Sequence, residues 1–257
     1  MSGLYSQIDN SSLLNFLFYP RPHHSKPTAD ASDLEVPVDH GVSIVCRAYP
    51  GSEKNPWILY FHGNGEVVSD YDGIAPLYTA RGLNLLVADY RGYGASGGNP
   101  TFASLVNDAK TIFDYVYENV AGRSTYNEWY VMGRSLGSIS ALELAANKGD
   151  RLKGMIIESG FISVAGLIRH LGLPSPGDLT ELENAYQRLA ASINLPALVI
   201  HGENDRLVPL TQGRELFDAL GSVHKNFNTI PRADHNDIMF VDSEKYMHAI
   251  VEFVLGK

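Results

Sequence analysis

The sequence predicts an α/β fold, a mostly parallel sheet with helices on both faces, and three observations predict it. Short apolar runs recur along the chain and are mostly continuous rather than alternating, as in strands covered on both sides. Segments with helical spacing stand between those runs, so each strand is followed by a crossover back to the sheet. At 257 residues, without repeats or low-complexity tracts, the chain reads as one domain with a substantial core.

The runs at 34–38 and 42–49 flank Asp39-His40-Gly41, a turn signal, and read as a hairpin at one edge of the sheet. Strands follow at 57–61, 84–89, 128–132, 153–158, 196–201 and 225–231. Helices are predicted over 105–120, where Ile112, Phe113, Val116 and Val120 fall on one face, and over 138–148, 211–220 and 243–255. Residues 160–195 are longer than one crossover helix requires. Two helical stretches there, 163–171 and 178–192, are parted by Gly172-Leu173-Pro174-Ser175-Pro176-Gly177, which predicts a small lid-like insertion. Its Phe161, Leu167, Ile168, Leu171 and Leu173 suit either an apolar acyl pocket or packing on the sheet. The expected organisation is a single domain over 1–257, with its core at about 34–256 and residues 1–33 as an N-terminal extension.

A net charge of −9 argues against nucleic acid, whose phosphates need a basic face. The lone Cys46 excludes an intrachain disulfide and a multi-cysteine metal site. No apolar stretch approaches the roughly 20 residues of a membrane helix. The segment "SLLNFLFYPRP" (12–22) is too short, and it lacks a basic n-region and a cleavage site. The expectation is a cytoplasmic protein with a small-molecule partner, no stable membrane anchor, no metal and no cofactor.

The stretch "VMGRSLGSIS" (131–140) carries the chemistry. A strand running through Gly133-x-Ser135-x-Gly137 into a helix is the context in which this motif means a nucleophile elbow. Ser135 would stand at the strand's C-terminal end, and the Leu136 N–H at the helix start could receive an oxyanion. A serine hydroxyl needs a base, which the fold type supplies in the order Ser, acid, His. Asp205 follows the strand 196–201, and His235 follows the strand 225–231. Glu203 and Glu158 are weaker candidates for the acid. A second oxyanion donor is expected from the backbone near Asn64, with Gly65 as its neighbour.

Other residues read more plainly. The Gly92-x-Gly94-x-x-Gly97 pattern resembles a dinucleotide fingerprint, but Asn99-Pro100 follows where a helix should open, so it reads as a tight loop beside the site. His62 reads as a brace for the oxyanion loop, His201 as a packed strand-end residue, and His23 and His24 as solvated.

"FHGNGE", "VADYRGYGASGG", "GRSLGS", "HGENDRLVP" and "ADHND" together resemble the α/β-hydrolases, and among them the Bem46-like and S33 serine-aminopeptidase-type groups, over nearly all of 34–256. The resemblance implies a mostly parallel eight-stranded sheet, an esterase-like site and no cofactor. Carried over by motif position, Ser135 is the nucleophile, Asp205 the acid and His235 the base. The activity expected is hydrolysis of a small or medium acyl ester or thioester through an acyl-enzyme. The competing expectations are an amidase or aminopeptidase-type hydrolase and a non-catalytic binding protein on the same scaffold. Glu66 could bias the site against anionic substrates or receive an amine, and Gly65, Glu66 and Phe161 are the expected substrate-binding residues.

Overall fold

Eight strands form one sheet in the order β1-β2-β4-β3-β5-β6-β7-β8, in a computed structural model that describes residues 2–120 and 128–256. The strands are β1 (Ser32–Asp39), β2 (Val42–Tyr49), β3 (Trp57–Phe61), β4 (Asn84–Ala88), β5 (Trp129–Arg134), β6 (Gly154–Glu158), β7 (Ala197–Gly202) and β8 (Lys225–Ile230). β1 and β2 make the expected antiparallel hairpin, and β2 pairs antiparallel with β4. Every other pairing is parallel.

Alternate residues of one strand enter opposite cores, which is why the runs are continuous rather than amphipathic. Leu59 and Phe61 of β3 pack on one face, whereas Ile58 and Tyr60 pack on the other. The same split separates Val131 from Met132 in β5 and Val199 from Ile200 in β7.

The helices are α1 (Ser6–Asp9), α2 (Leu14–Leu17), α3 (Ala75–Thr79), α4 (Phe102–Asn119), α5 (Ser138–Asn147), α6 (Val164–His170), α7 (Thr180–Ser192), α8 (Leu210–Ala219), α9 (Ile238–Val241) and α10 (Ser243–Leu255). α4 starts three residues before its apolar periodicity suggests. Thr101 accepts from the Ser104 N–H while Ser104 Oγ receives the Thr101 N–H, a reciprocal cap that fixes the start. The insertion holds α6 and α7 between β6 and β7. No described helix is long and apolar enough to cross a membrane.

The segment before β1 also contributes to the interior. Tyr5, Ile8, Leu13 and Phe18 are all buried, so the core begins well before residue 34. The Tyr5 and Tyr186 hydroxyls are 2.8 Å apart. The Asp9 carboxylate accepts from the Phe102 and Ala103 N–H groups at 2.8 and 3.0 Å, so it caps α4 from outside that helix. α1 and α2 each span four residues, too few for a 3.6-residue period to show in the sequence.

Candidate active site

β5 delivers Ser135 to the C-terminal edge of the sheet. Ser135 has φ +50°, in the left-handed region that L-residues avoid, and a short 3₁₀ turn over Ser135–Gly137 leads directly into α5. The two glycines make the turn possible. A Cβ on Gly133 would stand 2.4 Å from the Gly137 carbonyl oxygen, and one on Gly137 would stand 2.1 Å from that of Phe61. That second approach seats the turn against the end of β3, beside the loop bearing Asn64.

The loops after β7 and β8 bring two more side chains to the serine. His235 Nε2 lies 2.9 Å from Ser135 Oγ, and His235 Nδ1 lies 2.8 Å from Asp205 Oδ2. Ser135, Asp205 and His235 are 8%, 6% and 3% exposed. The Leu207 and Val208 N–H groups donate to Asp205 Oδ1, leaving Oδ2 to face the imidazole. Burial works against ionising Asp205. Hydrogen bonds from His201, His235 and the Val208 backbone outweigh it and hold the carboxyl well below its ordinary range. With a carboxylate at Nδ1, the Nδ1 proton points toward Asp205 and Nε2 is free to accept the Ser135 proton. His201 Nε2 is 2.9 Å from the Val208 carbonyl oxygen and 3.4 Å from Asp205 Oδ2, so it pins the same loop.

Neither alternative acid reaches His235. Glu203 accepts the Arg232 N–H, and Glu158 is occupied by Arg134, Tyr60 and Tyr246. Arg134 joins three parts of the site. Its Nε donates to Glu158 Oε1 at 3.0 Å, its Nη1 pairs with Glu66 Oε1, and its Nη2 donates to the His235 carbonyl at 2.9 Å and to Asn236 Oδ1 at 3.1 Å. Burial disfavours the guanidinium charge, but Glu66 and Glu158 offset this and hold its pKa above the ordinary arginine range. Sequence reading passed over Arg134, although the parallel register sets it directly opposite Glu158. A charge paired across two apolar strands was the available signal.

Glu66 is thus engaged by partners within the protein. Besides Arg134, it receives the Gly63 N–H at 2.8 Å and the Tyr71 hydroxyl at 2.7 Å. These bonds fix the loop after β3. His62 braces it too, with Nδ1 2.8 Å from the Gly63 carbonyl oxygen and Nε2 3.1 Å from Asp89 Oδ1. Gly65 takes φ +78° in the turn that follows Asn64. The Gly92 and Gly94 loop also uses positive φ, and α4 opens only after it, so no helix N-terminus meets those glycines.

An apolar cleft of about 300 Å³ opens at Ser135. Leu136, Asn64 and Phe161 line it, together with Val164, Leu167 and Ile168 of α6. Gly65 and Glu66 lie outside that lining. Phe16, Leu17 and Tyr19 of the N-terminal segment form part of the wall, a contribution that sequence reading missed. Among the described residues, no group of three or more His, Cys, Asp or Glu is arranged to hold a metal ion.

Sheet order, crossovers and the elbow turn define an α/β-hydrolase. The chain belongs to the family described as serine aminopeptidase, S33, whose model matches residues 52–176 and 176–240, and it is a hydrolase. It is similar to protein bem46 of Schizosaccharomyces pombe, 33% identical over 208 residues that span 79% of this chain and 68% of that protein. YfhR of Escherichia coli (strain K12) is 27% identical over 256 residues, spanning 95% and 87% of the two chains. Among solved structures, the Pyrococcus furiosus esterase Pf2001 superposes with a TM-score of 0.75 at 18% identity, covering 92% of this chain and 98% of that one. Est1E from Butyrivibrio proteoclasticus, solved with ferulic acid bound, gives 0.70 at 18% identity over 87% and 98%.

Proposed function

We propose that this hydrolase cleaves small to medium acyl esters or thioesters through a covalent acyl-enzyme on Ser135. The observation that carries the reading is the chain of contacts from Ser135 Oγ to His235 Nε2 (2.9 Å) and from His235 Nδ1 to Asp205 (2.8 Å), at the mouth of an apolar cleft. In this account Ser135 Oγ attacks the carbonyl carbon as its proton passes to His235 Nε2. The Leu136 N–H and a backbone N–H at Asn64 receive the oxyanion, at the first turn of the helical segment where the dipole favours negative charge. Collapse breaks the bond to the leaving oxygen or sulfur, which takes the proton from His235. Water then gives its proton to His235 as its oxygen attacks the acyl carbon, the acid departs, and Ser135 regains its hydrogen.

An ester is favoured over an amine-bearing peptide by the state of Glu66. The carboxylate that an amino terminus could have engaged is already bonded to Arg134, Tyr71 and the Gly63 N–H. The cleft beside Ser135 is predominantly apolar and suits an acyl chain. Turnover of p-nitrophenyl esters from C2 to C16, set beside the matching acyl and aminoacyl p-nitroanilides, tests the assignment. The expected result is ester hydrolysis with an optimum at small or medium chain length and slower anilide cleavage. Anilide hydrolysis faster than ester hydrolysis, peaking on an aminoacyl substrate, would overturn it.

A further inference from the structure

The wall that Phe16, Leu17 and Tyr19 add to the cleft comes from a segment outside the residues matched by the family model. It is fastened at both ends and in the middle. Upstream, Asp9 caps α4; within the segment, the Phe18 ring packs edge-on against Phe102 with centroids 5.3 Å apart. Downstream, Pro22 bridges to Gly94, with the His23 N–H donating to the Gly94 carbonyl and the Gly94 N–H to that of Arg21.

The middle is held by Asn64, with Tyr93 behind it. Asn64 Nδ2 donates to the Leu17 carbonyl at 2.8 Å, and Asn64 Oδ1 accepts the Tyr19 N–H at 3.0 Å. The fully buried Tyr93 orients that amide, its hydroxyl donating to Asn64 Oδ1 at 2.6 Å and accepting from the Tyr19 N–H at 3.0 Å. Both amide functions of Asn64 are thus committed to the strap, while its backbone lies in the loop that faces Ser135. Leu17 is half-buried and lines the cleft, and with its carbonyl tied down its backbone is held in place there.

We propose that Leu17 sets the acyl-chain length this hydrolase accepts, and that Asn64 is the positioning residue that holds it against the cleft. The inference rests on the ester reading above. One methylene gained or lost against a hydrophobic wall changes selectivity between homologous acyl chains by about 10- to 200-fold. The test is kcat/KM for p-nitrophenyl esters from C2 to C16 with the full chain and its variants. Leu17→Trp should move the optimum to shorter chains and lower the long-to-short ratio about tenfold. Leu17→Ala should move it to longer chains. Asn64→Asp keeps an acceptor for Tyr19 and Tyr93 but loses the donor to Leu17, and should raise KM more steeply as the acyl chain lengthens.

Phe16→Ala guards against a folding artefact, because Phe16 is 52% exposed and its loss leaves the core intact; it should also favour longer chains. Profiles of both Leu17 variants and of Phe16→Ala that superpose on the wild type would overturn the inference while leaving the ester reading in place. For Asn64→Asp, a loss confined to kcat and equal at every chain length would overturn the positioning role. A wild-type chain that hydrolyses no ester at any length would instead remove the reading beneath it.

Discussion

Ser135→Ala is expected to lower ester turnover by about 10⁶-fold while leaving the fold intact. The size of the loss follows from the arrangement of the three groups. On the proposed mechanism, removing Oγ leaves His235 and Asp205 no attacking atom to activate, so the whole covalent route closes at once rather than being slowed. The substitution is gentle elsewhere. Serine already carries a Cβ at φ +50°, so alanine meets the same backbone restriction and adds no bulk. Steady-state rates, with a thermal melt as the control for folding, check the expectation. A variant that keeps more than about a hundredth of wild-type turnover would remove Ser135 from the role of nucleophile.

Arg134→Met is expected to cost about 3–5 kcal/mol of stability, because it removes one partner from a buried ion network. Glu158 has a side chain only 2% exposed and would keep the Tyr60 and Tyr246 hydroxyls but lose its counter-charge. Glu66 would lose the same partner and keep only the Gly63 N–H and the Tyr71 hydroxyl. The carbonyl of His235 and the side chain of Asn236 would lose their shared donor. Lysine should rescue little, since one ammonium cannot reach the four acceptors that a planar fork serves at once. Urea unfolding of the wild type, Arg134→Met and Arg134→Lys measures this. Losses below about 1 kcal/mol in both variants would mean that the network is a surface-like ornament rather than the frame of the site.

The parts of this architecture visible in the sequence were those with local signatures. The strands announced themselves because both faces are buried: Leu59 and Ile58 are both core residues, so no polar alternation interrupts the run. The elbow was legible because the Gly133 and Gly137 spacing is a steric demand of the turn itself. Asp205 and His235 were legible from their places just beyond β7 and β8.

What escaped reading depends on contacts between distant residues. The partners of Glu66 went unseen because Arg134 is 68 positions away. The amide of Asn64 meets Leu17 across 47 positions, with no local pattern to mark the pairing. The four-residue helices α1 and α2 offer too few turns for periodicity to register, so the burial of Ile8 in α1 and of Leu13 and Phe18 on either side of α2 showed only in three dimensions.

The most direct measurement is the mass of the intact chain after treatment with a fluorophosphonate, followed by peptide mapping of the adduct, in wild type and Ser135→Ala. The account predicts one adduct per chain, carried on Ser135 and absent from the variant. No adduct on the wild type, or one on another serine that persists in Ser135→Ala, would contradict it.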